Sequence, residues 1–255
     1  MSNILSLCEM SGEDVYHCLD DGLTSLSFDT IYLGSEFCWD KLDAGQNWGR
    51  LIGLCKKNGC KVFFVFPILP ERYVKVFREL LVLLAKAGVD GVVVNDYGTL
   101  YYIYQQMPSF PVVVGRLLIK TTRDYIQPQF GINPFRFPKE IIKISHDFNC
   151  IRLDMDYCQF SKEGRNDIDI EIGIHSISYL TSSMCCDYKF DKTNTLAKNN
   201  SICKRNCLNE AVVVPNSPLI KLGNALLYNQ SIDDNFITDT IILDYKCCQF
   251  RTCVL

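Results

Sequence analysis

Apolar residues along this chain fall into short continuous runs separated by longer amphipathic stretches. Lys61 to Phe66 is almost wholly β-branched and aromatic, the pattern of a parallel strand buried on both faces. Gly91 to Val94 and Val112 to Val114 repeat it. Asn47 to Lys57 places Trp48, Leu51, Ile52 and Cys55 at i, i+3, i+4 and i+7, which is one face of a helix. Asn58-Gly59 stops that helix. Pro70-Glu71 opens another helix that runs to Ala87 and ends at Gly88.

The alternation continues to both ends. Asn3 to Cys8 and Phe28 to Leu33 read as strands, with a helix over Glu13 to Asp20 between them. Thr99 to Gln106 and Pro138 to His146 read as helices, and Cys150 to Asp154 and Ile168 to Ile174 as strands. Ala211 to Val214, Leu219 to Leu227 and Thr238 to Leu243 are late apolar segments. Strands alternating with helices predict a parallel sheet with right-handed crossovers. Seven to eight strand segments favour a TIM-barrel-like (β/α) barrel, incomplete or distorted, over an open doubly wound sheet. No Gly-x-Gly-x-x-Gly follows a strand, which weighs against a dinucleotide fold. A chain of 255 residues without a linker or repeat suits a single domain over 1–255, since barrels run to roughly 200–250 residues as one unit.

Composition narrows the function classes. A net charge of -3, with Lys and Arg scattered, leaves no basic footprint for nucleic acid. No apolar run reaches the ~18 residues of a membrane span. The N-terminus lacks the basic start and cleavage site of a signal peptide, so a cytosolic location is expected.

The fourteen cysteines are then unusual, because a reducing compartment does not favour a disulfide framework. Cys8, Cys18, Cys55 and Cys60 lie in apolar or helical contexts and read as core residues. Cys247, Cys248 and Cys253 have no assigned role, and Thr252 stands where a prenylation box would need cysteine. Thr181 to Cys207 differs from all of these: Cys185-Cys186, a polar insert, then Cys203-x3-Cys207, without core periodicity. Taken alone, Cys-x3-Cys in such a loop is more often idle than ligating.

Barrel chemistry sits where strands end, and polar residues gather there. Glu36 and Cys38 follow the second strand, Asn95 and Asp96 the fourth, Arg116 and Lys120 the fifth; Asp154 and Asp156 close the sixth. The cysteine loop follows the seventh, so Cys38, Cys185, Cys203 and Cys207 can share one rim. Four thiolates there suit zinc or an iron–sulfur cluster. Each residue also has a plain reading. Asn95-Asp96 can cap the next helix; Arg116, Lys120 and Arg123 can form a solvated helical face; Asp154 and Asp156 share a strand face as an acid pair or as solvated groups. His146 and His175 lack paired ligand spacing and read as core or surface residues. Ser182 and Ser183 have no nucleophile-elbow context.

At these positions the chain resembles the collagenase-like peptidases, family thirty-two of the unclassified peptidases. Ile31-Tyr32-Leu33-Gly34 with Cys38 resembles the family's second-strand signature. Ala87-Gly88-Val89-Asp90-Gly91-Val92-Val93-Val94-Asn95-Asp96-Tyr97-Gly98 is similar to its fourth-strand motif. Val114-Gly115-Arg116-Leu117-Leu118 and the stretch from Ile177 to Cys185 resemble its shorter, iron–sulfur-binding UbiV-type members. The resemblance covers roughly residues 1–230. It implies a 4Fe-4S cluster on Cys38, Cys185, Cys203 and Cys207, with Cys186 as the alternative to Cys185. It also implies oxygen-independent hydroxylation by a heterodimer with a second family member. In other members prephenate is the oxygen donor; for such an anionic co-substrate Arg116 and Lys120, with Asn95 and Asp96, are the expected contacts. The signature of the peptidase branch is absent, which argues against proteolysis. The alternatives are a peptidase or hydrolase of the same family and a non-catalytic four-cysteine zinc scaffold.

Overall fold

In the computed structural model eight parallel strands close into a barrel. Described are residues 2–8, 10, 12–20, 28–42, 46–120, 139–156, 169–176, 178–182, 211–213, 219–222, 225–228 and 240–244. The barrel strands are β1 (Ser2–Ser6), β2 (Thr30–Gly34), β3 (Lys61–Val65), β4 (Gly91–Val94), β5 (Val112–Val114), β6 (Arg152–Asp156), β7 (Glu171–His175) and β12 (Thr240–Asp244). Their order around the barrel is β1-β12-β7-β6-β5-β4-β3-β2. Only the last strand breaks the sequential order, because four strands intervene between β7 and β12. These are β8 (Ser178–Ser182), β9 (Ala211–Val213), β10 (Leu219–Leu222) and β11 (Ala225–Tyr228), an antiparallel sheet of order β8-β11-β10-β9.

The barrel expected from the strand–helix alternation is therefore present, and Thr238 to Leu243 supplies its closing strand. The antiparallel sheet was not expected. Leu219 to Leu227 is a hairpin of two strands, with Leu222 opposite Ala225. Ala211 to Val213 pairs with that hairpin and not with the barrel.

Inward and outward positions alternate along each barrel strand. The outward set, including Leu5, Leu33, Val62, Phe64, Val92, Val94, Leu153, Met155 and Ile174, packs against the helices in the main core. Helix α3 (Trp48–Lys57) buries Trp48, Leu51, Ile52 and Cys55, the face expected from its period. Asn47 starts it, its side chain accepting the Arg50 N–H at 3.0 Å. Helix α4 (Val74–Lys86) buries Phe77, Leu81 and Leu84, each such side chain stabilising by about 1.5–3 kcal/mol. Cys18, Cys55 and Cys60 are buried and Cys8 half-buried, in line with the packing role expected of them. Burial pushes the Cys55 and Cys150 thiols up to about 12, which makes them poor nucleophiles.

The inward set has two characters. On one side Ile4, Tyr32, Phe63, Val65, Val93, Val113 and Ile242 form a second apolar cluster. On the other, β6, β7 and β12 turn Arg152, Asp154, Asp156, Glu171, His175, Thr240 and Asp244 toward the axis, since their alternate residues Leu153, Met155, Ile172 and Ile174 belong to the outer core. Gly173 accommodates this crowding: a Cβ there would lie 2.4 Å from Asp154 Oδ1.

Candidate functional site at the barrel mouth

The C-terminal ends of the strands bring together groups far apart in sequence. Arg116, the first residue of α6 (Arg116–Lys120), donates through Nε to Glu36 Oε1 at 2.7 Å and through Nη2 to Glu36 Oε2 at 2.6 Å. Its Nη1 donates to Asp156 Oδ1 at 3.0 Å. Glu36 is 6 % exposed, Arg116 2 % and Asp156 0 %, so these are desolvated, charge-assisted bonds of the strong kind. Burial opposes the Arg116 charge, but Glu36 and then Asp156 outweigh it, and its pKa lies above the ordinary value.

Beside this clamp, His175 Nδ1 lies 3.3 Å from both carboxylate oxygens of Asp244. His175 is the register neighbour of Asp156 on β6. Burial raises the Asp244 carboxyl, yet His175 and Arg116 together hold it below the usual carboxylate range, against repulsion from Asp156. Among the described residues the mouth thus brings together three carboxylates, one guanidinium and one imidazole. A carboxylate that orients one imidazole nitrogen leaves the other for proton transfer.

The lowered Asp244 pKa has a signed consequence. Its ionised form contributes stability that is complete above the unfolded carboxylate value, about 3.9, and is lost as pH falls through the lower folded value. Asp244→Asn is expected to cost about 1.5–3 kcal/mol at pH 7, as for hydrogen bonds to charged groups. The difference from wild type should shrink on acidification below about pH 4. Melting curves of both proteins between neutral and acid pH check this; a gap that widens with acid contradicts it.

The residues expected from sequence fall into different places. Arg116 is at the mouth as expected, but it is neither a solvated helical residue nor an open anion site: its charge is matched by two carboxylates. Asn95 is 1 % exposed and braces the wall. Its Nδ2 donates to Phe66 O at 2.8 Å and its Oδ1 accepts the Leu117 N–H at 3.1 Å. Asp96 caps α5 (Tyr97–Gln106), accepting from Thr99 N at 2.8 Å, Thr99 Oγ1 at 2.7 Å and Leu69 N at 3.0 Å. The plain capping reading thus describes Asp96. Asp154 and Asp156 share the inward face, each paired with an arginine rather than with the other. Asp154 accepts from Arg152 Nε at 2.8 Å and from the Tyr32 hydroxyl at 2.5 Å. His146 is exposed and pairs with Asp169 at 2.9 Å.

Cys38 is half-buried just past β2, its N–H donating to Ser35 Oγ at 3.1 Å. Cys185, Cys186, Cys203, Cys207 and Arg123 lie outside the described residues, as do Cys247, Cys248, Cys253 and the Lys120 side chain. Among the described residues no group of three or more His, Cys, Asp or Glu is arranged to hold a metal ion, and no helix is long and apolar enough to cross a membrane. His175 was read from sequence as a core or surface residue and Asp244 was passed over, although each ends a barrel strand at an inward-facing position.

No protein-family model and no curated protein matches the chain. Among solved structures, the U32 peptidase Mk0906 aligns with TM-score 0.52 at 14 % identity, over 95 % of this chain and 92 % of that one. A xylose isomerase domain protein from Salmonella typhimurium LT2 aligns with TM-score 0.42 at 15 % identity, over 71 % of each chain. The tryptophan synthase complex from Pyrococcus furiosus gives 0.40 at 13 %, over 68 % and 77 %. The first likeness shows the fold: a parallel α/β barrel of the kind seen in a U32 peptidase, here with a charged mouth.

Proposed function

We propose that this chain is an iron–sulfur protein of the U32 family, of its UbiV-like branch, and one subunit of an oxygen-independent hydroxylation system. Its 4Fe-4S cluster would be held by Cys38, Cys185, Cys203 and Cys207, with Cys186 the alternative to Cys185. The observation that carries the reading is the place of Cys38, a half-buried thiol on the C-terminal rim, where barrels hold their chemistry. A soft, partly desolvated thiol on a bonded turn fits a cluster ligand.

The second sheet adds support. Ser182, Ala225, Leu222 and Ala211 form one transverse row, so the cysteine-bearing segment leaves and re-enters the sheet at the same end, on its two outer strands. Its two attachment points are three strand spacings apart, roughly 14 Å. Cys185 is three residues past β8 and Cys207 four short of β9.

When bound, such a cluster supplies one-electron transfer. The chain's own mouth residues include a proton-transfer pair, His175 and Asp244. Because Arg116 is already matched, an anionic co-substrate such as prephenate would need cations beyond it, Lys120 being the nearest in sequence. Anaerobic purification followed by iron and acid-labile sulfide analysis tests the proposal. Iron and sulfide in equal amounts, lost in Cys38→Ser, are expected. Stoichiometric zinc without sulfide, or an iron-free protein after reconstitution, overturns it.

A further inference from the structure

We infer that Arg116, gripping Glu36 and Phe37, is a positioning residue that sets the place of the Cys38 thiol; its value as a ligand device rests on the cluster reading above. The turn from Ser35 to Cys38 is held from three directions. Gly34 enters it at φ +112°, and a Cβ there would come within 2.4 Å of Val65 O, so the backbone of β2 leaves the barrel pressed against β3. Trp39 follows Cys38 and is 4 % exposed. Its ring stacks on Phe66 at 5.9 Å and on Tyr73 at 5.5 Å, and its Nε1 donates to Ile68 O at 2.7 Å.

The third hold is Arg116. Its fork takes both oxygens of Glu36, and its guanidinium lies 5.7 Å from the centre of the Phe37 ring. Two consecutive residues before Cys38 are thus bound to one side chain from across the barrel, 80 positions later in sequence. That side chain is itself fixed. Asp156 takes its remaining arm, and its backbone is seated through Gly115 against Asn95, where a Cβ would lie 2.3 Å from Oδ1.

A buried ion pair contributes little net stability compared with an apolar isostere. A bidentate fork, however, fixes direction as well as distance. The arrangement therefore suits orientation of the turn better than it suits stabilisation of the barrel. Lysine could keep the charge but not the fork, and this separates geometry from electrostatics.

The test uses full-length protein in two states. In the metal-free state, alkylation of Cys38 by iodoacetamide is followed by peptide mass spectrometry across pH. The plateau rate at high pH reports access to the thiol, whereas the midpoint reports its charge environment. Cys55 and Cys150, held at about 12, serve as slow internal references. Arg116→Lys is expected to raise the Cys38 plateau rate about five-fold or more, since exposure governs thiol access. Glu36→Gln, which keeps a hydrogen-bonding side chain should the lysine variant fold poorly, is expected to move it the same way. In the reconstituted state both variants should shift the electron paramagnetic resonance signature of the reduced cluster.

Unchanged plateau rates and an unchanged signature in both variants overturn the inference while leaving the cluster reading intact. A wild type that never takes up a cluster, but whose Cys38 plateau rises in the variants, removes the cluster reading and leaves the positioning role standing. If neither a cluster nor a plateau change is found, both fail.

Discussion

Arg116→Met is expected to lower the stability of the folded chain by about 3–5 kcal/mol at pH 7, the cost of stranding a buried charge. The substitution conserves much of the apolar stem and volume, so the loss measures the two carboxylates left behind rather than a cavity. Glu36 and Asp156 are 6 % and 0 % exposed, and neither can be rehydrated without opening the mouth. The coupling gives the expectation its sharpest form. Arg116→Met with Glu36→Gln should be closer to wild type than the sum of the single changes, as for residues in one charge network. Urea unfolding of the four proteins of this cycle measures it. A single-variant loss below about 1 kcal/mol, the range of exposed ion pairs, would mean that water reaches the clamp.

How much of this was legible in sequence depended on whether the information was local. The runs at β3, β4 and β5 are apolar on both faces, and their spacing between helices is enough to predict a barrel. The helix face of α3 followed from period alone. What failed was non-local or masked by an apolar average. Leu219 to Leu227 reads as one segment by hydropathy, yet Gly223-Asn224 in its middle is a two-residue turn signal, and the structure pairs its halves as β10 and β11.

The site divides in the same way. Arg116 was found because it follows a strand. Glu36 and Asp156 were placed at strand ends too, but their pairing with Arg116 could not be read, since Glu36 lies 80 residues away and Asp156 40, and a single sequence carries no pairing information. One signal was present but unused. Arg152-Leu153-Asp154-Met155-Asp156 and Glu171-Ile172-Gly173-Ile174-His175 alternate polar with apolar, whereas a parallel strand covered on both faces should not. With helices outside, such alternation turns the polar residues toward the barrel axis, and Thr240-Ile241-Ile242-Leu243-Asp244 ends in the same way. That pattern would have added His175 and Asp244 to the site.

Arg152→Met is the companion expectation deeper in the barrel, again about 3–5 kcal/mol for a stranded buried carboxylate. Asp154 is 0 % exposed and has two partners, the Arg152 Nε at 2.8 Å and the Tyr32 hydroxyl at 2.5 Å. The Tyr32 hydroxyl also accepts from Arg152 Nη2. Burial first, and then Asp154, push its pKa well up, so the phenol keeps its proton and goes on donating. Tyr32→Phe should therefore cost less, about 1–3 kcal/mol for one unsatisfied acceptor, because the arginine still neutralises Asp154. The Glu171 contact of Arg152, at 3.6 Å to a 40 % exposed side chain, adds little, since water screens it. Denaturant unfolding gives the order of the two variants, and the reverse order would show that the hydroxyl rather than the charge holds Asp154. Neither Arg152 nor Tyr32 bonds to Glu36 or Arg116 in any contact described above, so Cys38 alkylation in folded Arg152→Met should match wild type. A destabilised barrel with an unaltered Cys38 would separate the strength of the fold from the placing of its thiol.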